Sequence, residues 1–196
     1  ARGRRALRSF GIHPRRFLAA DRAWWERFSA RGVTLEEMRL GRLRDCGLAD
    51  ETLVAQADEA YRAIANDLHL KSGAVRLIHR LHEQDWRCVV LTNAPMNVQR
   101  EQALAPVLAV VDAVIVASDL THSKPHPEAF QAALQAINGH PEHAAAVGDH
   151  LHNDVNGALK AGFARVVWLT THLRHPDQRV FCVRNLRQAE TALLSA

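Results

Sequence analysis

The chain has 196 residues, 47% hydrophobic and 23% charged, enough apolar content for a core of its own, which excludes the disordered and fibrous classes. No apolar run nears the roughly 20 residues of a membrane span. Three scattered cysteines, Cys46, Cys88 and Cys182, form no CxxC pair, which argues against a disulfide framework and fits a reducing, cytoplasmic setting. The net charge of +4 is uneven: residues 1–44 hold twelve Arg and four acids, so the remainder is net negative by four. With twenty-two Arg against only Lys71, Lys124 and Lys160, the Arg bias pervades the chain, and a solvated helical face explains the basic segment without a nucleic-acid partner. The chain opens without Met, in what reads as the middle of a basic amphipathic helix, and this suggests residues upstream of Ala1.

From residue 2 to about 70, apolar residues such as Leu7, Phe10, Phe17, Trp24, Trp25, Phe28, Met38, Leu43, Val54 and Ile64 recur three and four apart, the helical period. Breaks at 11–14, 31–32 and 47–50 predict about four helices, with Thr34 and Asp50 as N-caps. Trp24, Trp25 and Tyr61 fall at core spacing and are read as packing residues first, pocket residues second. After Ser72-Gly73 the pattern changes to a helix over 74–84, then short apolar runs at 88–91, 110–116, 144–147, 166–169 and 180–183. Helical stretches at 98–104, 127–137 and 154–161 fall between them. Continuous apolar strands alternating with helices predict an α/β core, residues 71–196, built on a parallel sheet buried on both faces.

Ligands of such sheets bind at the carboxyl ends of the strands. The polar residues Thr92-Asn93, Lys124 and Gly148-Asp149 fall there, with Asp154 five residues further on. Each also has a plain structural reading. Thr92-Asn93 before Pro95 fits a helix cap, Lys124-Pro125 a solvated loop, Asp149 a cap, and Asp154 the acidic first turn of a helix.

Taken in order, "VVLTNAP", "SKPHPEAF" and "AAVGDHLHNDVNGALKAG" resemble the second, third and fourth motifs of the haloacid dehalogenase superfamily, in the subfamily with a helical cap inserted before the second motif. The resemblance covers roughly residues 70–170 by motif and the helical third, 1–70, by architecture. It implies a Rossmann-like core under a small helical cap. It implies that Thr92 binds the transferring phosphoryl group with Asn93 beside it, that Lys124 neutralises nucleophile and phosphate, and that Asp149 and Asp154 hold Mg2+. The chemistry agrees, since phosphoryl transfer needs charge compensation and Mg2+ prefers carboxylate oxygens. The implied activity is a Mg2+-dependent hydrolysis of a small phosphorylated metabolite, with neither nucleic acid nor membrane as partner; oligomeric state is not legible.

Two departures stand out. Ala94 replaces a glycine common after the Asn. More seriously, the DxDxT first motif that supplies the nucleophilic and the acid/base Asp is not found in the 196 residues, and with it goes the central strand of the sheet. Asp112 is the nearest acid to a strand but has neither the second acid nor the Thr, and it is rejected. The expectation is therefore an aspartyl-phosphate on an Asp upstream of Ala1, with residues 1–196 inactive alone. The alternative is a non-catalytic relative that binds partners, using the basic stretch 2–16 as a docking surface. Dehalogenation is disfavoured, because dehalogenases of the superfamily dispense with magnesium and lack the Gly-Asp pair. Among twelve histidines, His150-x-His152 and His172-x-x-His175 have tight spacing but no Cys or acid to complete a zinc set; His150 is read as loop polarity beside the site.

Overall fold

A computed structural model describes residues 2–30 and 32–195 and divides the chain into two compact units, Ala1–Leu68 and His69–Ala196. The first contains α1 (Arg2–Ser9), α2 (Pro14–Ser29), α3 (Leu35–Asp45) and α4 (Glu51–Asn66). Local chemistry sets these boundaries. Gly11 takes φ +72° between α1 and α2, and Pro14 opens α2 where its missing N–H is not needed. Thr34 heads α3 in a reciprocal capping box with Glu37, and Asp50 caps α4 by accepting the Thr52 N–H at 2.7 Å. Of the break expected at 31–32, Arg31 lies outside the described residues, while Gly32 N–H bonds to Arg27 O at 3.0 Å beyond the end of α2.

Leu7, Ile12, Phe17, Leu43, Cys46, Val54 and Ala57 form the core of this unit. Several arginines of the basic third are structural. Arg39 forms a two-pronged pair with Asp58, and Arg42, 5% exposed, pairs with Asp21 while lying over the rings of Tyr61 (4.7 Å) and Phe17 (5.1 Å). Of the aromatic residues, Tyr61 packs against this core and meets Phe17 at 5.1 Å, Trp24 lies on Gly41, where a Cβ would come within 2.2 Å of the indole, and Trp25 stands edge-on to Phe28 at 5.4 Å, outside the core cluster.

The second unit runs α5 (Ala74–His82), β1 (Val89–Thr92), α6 (Val98–Leu108), β2 (Ala113–Val116), α7 (Pro127–Gln135), β3 (Ala145–Gly148), a π-helical turn (Leu151–Asn156) leading into α8 (Gly157–Lys160), β4 (Arg165–Leu169), β5 (Val180–Val183) and α9 (Leu186–Leu194). Three differences from the sequence expectation have local causes. The strand expected over 110–116 starts at Ala113, because the Val110 and Val111 N–H groups both bond back to Val107 O and close α6. Helix α6 runs through Pro106, which forgoes one i→i−4 hydrogen bond in the last turn, two residues before the helix closes at Leu108. Helix α9 was not anticipated; Asn185 caps it, and Leu186, Ala189 and Leu193 bury its inner face.

All strand pairs are parallel, but they form two sheets, β1-β2 and β3-β4-β5. Alternate residues of β4 serve opposite faces. Val166 and Trp168 pack with Phe130, Leu134, Val155 and Phe163, while Val167 packs with Leu77, Leu81, Leu186 and Leu193. Helices thus cover both sides of this sheet, as continuous apolar strands require. No described helix is long and apolar enough to cross a membrane.

Candidate active site

The polar residues singled out in the sequence lie on the strand ends and the loops that follow them. Thr92 closes β1, and its Oγ1 accepts the Ala94 N–H at 3.1 Å, which leaves the hydroxyl proton free to donate. Asn93 behaves differently from an exposed substrate-facing amide. It is 8% exposed, its Nδ2 donates to Lys124 O and its Oδ1 accepts the Lys124 N–H, both at 2.8 Å. The side chain thereby locks the backbone of the lysine loop to the end of β1.

Lys124 Nζ donates to Leu91 O at 2.9 Å and to Asp154 Oδ1 at 2.8 Å. The side chains of this pair are only 14% and 17% exposed, so the ion pair is poorly screened by water. Asp154 Oδ2 accepts the His150 N–H at 3.0 Å, and both of its oxygens are engaged. The π-helical turn brings it onto Gly148, where an added Cβ would stand 2.4 Å from Asp154 Cβ. Gly148 is therefore required for close approach rather than for a special φ.

Asp149 lies apart from this network. Its side chain is 63% exposed, with Oδ2 3.7 Å from Lys71 Nζ, while its carbonyl accepts the Trp168 indole N–H at 3.2 Å. A screened pair at this distance contributes little to stability and leaves the carboxylate available. The structure therefore joins Asn93, Lys124 and Asp154 directly and adds Thr92 through the strand that holds Leu91. Sequence reasoning missed the Leu91 carbonyl, Lys71 and Trp168; none carries a motif, and a backbone acceptor has no sequence signature at all.

Among the described residues β1 and β3 do not pair, and a cavity of about 610 Å3 is lined by both, through Val89 and Leu91 on one side and Ala145, Ala146 and Val147 on the other, with Lys124 and Asp154 also on its wall. Asp112 is far from a nucleophile's role. It precedes β2, at the end opposite the site, and accepts the Cys88 N–H at 2.7 Å and contacts His82 Nε2 at 3.0 Å; these bonds, the Cys88 one first, hold its carboxyl below the usual range. Burial, then the neighbouring Asp112 charge, pushes the Cys88 thiol up to about 11, so it is no thiolate nucleophile. The paired histidines are local too: His150 Nδ1 accepts the Asn153 N–H, His172 stacks on Trp168, and His175 Nδ1 accepts the Asp177 N–H.

Parallel strands with helices on both faces define a Rossmann-like α/β fold. A sequence model of the haloacid dehalogenase-like hydrolase family matches residues 3–162, and the chain belongs to that family. Pyrophosphatase PpaX of Bacillus thuringiensis (strain Al Hakam) is 32% identical over 127 residues, 61% of this chain and 58% of that protein. The chain thus spans 58% of the length of this curated relative, and the PpaX of Bacillus cereus (strain Q1) gives the same figures. Among solved structures, HAD-hydrolase YfnB from Bacillus subtilis superposes with a TM-score of 0.74 at 21% identity, covering 100% of this chain and 92% of that one. The 2-haloacid dehalogenase of Pseudomonas syringae pv. Tomato DC3000 superposes with 0.60 at 19%, covering 99% and 90%. At these identities the likeness is one of fold, and it extends to a dehalogenase, so it does not select the reaction.

Proposed function

We propose that the chain carries the phosphate- and metal-handling residues of a magnesium-dependent phosphomonoesterase, acting on a small phosphorylated metabolite through an aspartyl-phosphate on an Asp upstream of Ala1. The observation that carries this reading is the position of the Lys124 ammonium, fixed by Leu91 O and Asp154 Oδ1 beside the end of β1. A fixed cation, the Thr92 hydroxyl and carboxylates on the neighbouring loops suit a reaction whose main demand is stabilising charge on phosphoryl oxygens. In this scheme Thr92 donates to a phosphoryl oxygen, Lys124 neutralises charge between phosphate and nucleophile, and Asn93 positions Lys124 without touching substrate. The nucleophilic carboxylate forms a bond to phosphorus as the bond to the leaving oxygen breaks, and water then releases phosphate.

The donor set fits Mg2+: hard carboxylate oxygens, with Asp149 exposed and lightly paired while both oxygens of Asp154 are already committed. Asp149 would ligate directly and Asp154 would stand beside the ion, holding Lys124. When bound, the ion neutralises charge on the phosphoryl oxygens. Support for phosphate chemistry and for magnesium also comes from relatives, one named a pyrophosphatase and one, YfnB, solved bound to magnesium. The cavity lined by both β1 and β3 supports a further strand there as the carrier of the nucleophile. The first unit would serve as the cap that selects the leaving group.

The test is p-nitrophenyl phosphate turnover with Mg2+ by residues 1–196 and by the full gene product. Almost none is expected of the former, and turnover on the order of 1 to 1000 per second of the latter. Turnover in that range by residues 1–196 alone would place the nucleophile inside them and overturn the scheme. Full activity of the gene product on a haloacid in EDTA would replace phosphatase with dehalogenase. A gene without an acidic pair upstream would favour the non-catalytic alternative, docking through residues 2–16.

A further inference from the structure

His122, Glu128 and His126 come together around the loop that carries Lys124, each offering one ligand atom, all within 4.8 Å of one another. His122 Nδ1 lies 2.6 Å from Glu128 Oε2, and the His122 and His126 rings stack with centroids 4.0 Å apart at 21°. His126 caps α7, its Nδ1 accepting the Glu128 N–H at 3.3 Å. A His–Glu pair needs one imidazole; here a second ring is stacked against the first, which brings a third donor-bearing side chain to the same spot.

We propose that His122, His126 and Glu128 form a binding site for a transition-metal dication of the zinc class, separate from the magnesium ligands assigned to Asp149 and Asp154. Two imidazole nitrogens and one carboxylate oxygen suit Zn2+, Co2+ or Ni2+ and are a poor set for Mg2+, which takes oxygen. Donors of a tetrahedral centre with bonds near 2.0 to 2.2 Å stand about 3.4 Å apart. From separations of at most 4.8 Å the widest gap would close by up to about 1.4 Å, while the 2.6 Å His122–Glu128 contact would open by about 0.8 Å, shifts within reach of side-chain torsions for an exposed His126 and half-buried His122 and Glu128. A hydrogen bond from the Thr121 side chain to Glu128 supplies the outer support that metal-binding carboxylates use. With Lys124 in the sequence between the two histidines, the ion ties both sides of that loop to the start of α7.

The experiment is a Zn2+ titration of the purified protein in millimolar Mg2+, read by calorimetry, with Co2+ as a second probe read by its tetrahedral visible absorption. It is done in an Asp149→Asn background so that the acidic site does not compete. One Zn2+ per chain is expected, weakened at least about tenfold by His126→Ala and by Glu128→Gln, and unchanged by the double variant His172→Ala/His175→Ala. Glu128→Gln keeps the shape of the side chain, and matching circular dichroism and apo melting temperature show that loss of metal is not loss of fold. No Zn2+ uptake, or uptake that His126→Ala and Glu128→Gln leave unchanged, overturns the proposal.

Discussion

Lys124 and Asp154 join two sheets that do not pair with each other among the described residues: the ammonium sits 2.8 Å from Asp154 Oδ1, beyond β3, and 2.9 Å from the carbonyl of Leu91, within β1. Lys124→Ala removes this link and leaves Asp154 poorly solvated without its partner. Loss of about 1–3 kcal/mol of stability is expected from the unmatched charge. In the complete enzyme kcat should fall by about 10²–10³, the cost of removing one group that stabilises transition-state charge. Added Mg2+ should not restore it, and a steady-state assay across metal concentrations checks this.

Asp149→Asn should behave in the opposite way. The side chain is mostly exposed and only loosely paired with Lys71, so stability should change by less than about 0.5 kcal/mol. Activity should drop through weaker metal binding and recover partly in excess Mg2+. Rescue of both Asp149→Asn and Lys124→Ala by metal would contradict their separate roles.

Asn93→Ala tests whether a residue can govern the lysine without touching substrate. It strips the Lys124 N–H and C=O of their partners, an expected cost of about 1–3 kcal/mol in a partly buried loop. The predicted signature is a lowered kcat and melting temperature with the Mg2+ dependence unchanged. Asn93→Asp should be worse, because its carboxylate would face the Lys124 carbonyl.

Gly148→Ala places a methyl 2.4 Å from Asp154 Cβ. Asp154 must move, and Lys124 with it, so both stability and kcat should fall although alanine is an ordinary strand residue. Wild-type melting temperature and turnover in this variant would show that the close packing is dispensable.

Alkaline pH offers a test remote from the site. Burial raises the Cys88 thiol from 9.0 to about 11, so above pH 9 the unfolded chain loses this proton before the folded one does. The folded state then binds more protons, and its stability declines with rising pH until about pH 11 and is unaffected below about pH 9. Cys88→Val should make the difference in urea midpoint between pH 8 and about pH 10 smaller than in the wild type.

The family, the helical first third and the alternating strands and helices were legible in the sequence, because each rests on local patterns. Apolar spacing at Leu7, Phe17, Leu43 and Val54 fixes a buried helical face, and Thr34 and Asp50 mark helix starts by their capping chemistry. The strand ends were found to within a few residues, since Thr92 and Gly148 follow continuous apolar runs. Periodicity failed at Val110 and Val111, where the closing turn of α6 took the N–H groups that a strand would have used.

What a residue does at the site was decided in space. The sequence sets Asn93 beside the phosphoryl-binding Thr92, and only the folded chain shows its amide bonded to the backbone of a residue thirty-one positions away. Asp149 and Asp154 both read as magnesium-holding acids in the sequence, and only the folded chain shows that one is exposed while the other is paired with Lys124. The cluster of His122, His126 and Glu128 depends on ring stacking around a loop, a geometry no spacing rule describes. Local backbone preference and side-chain periodicity act over a few residues and so are written in the sequence; hydrogen-bond partners and burial join distant segments, and only the folded chain selects them.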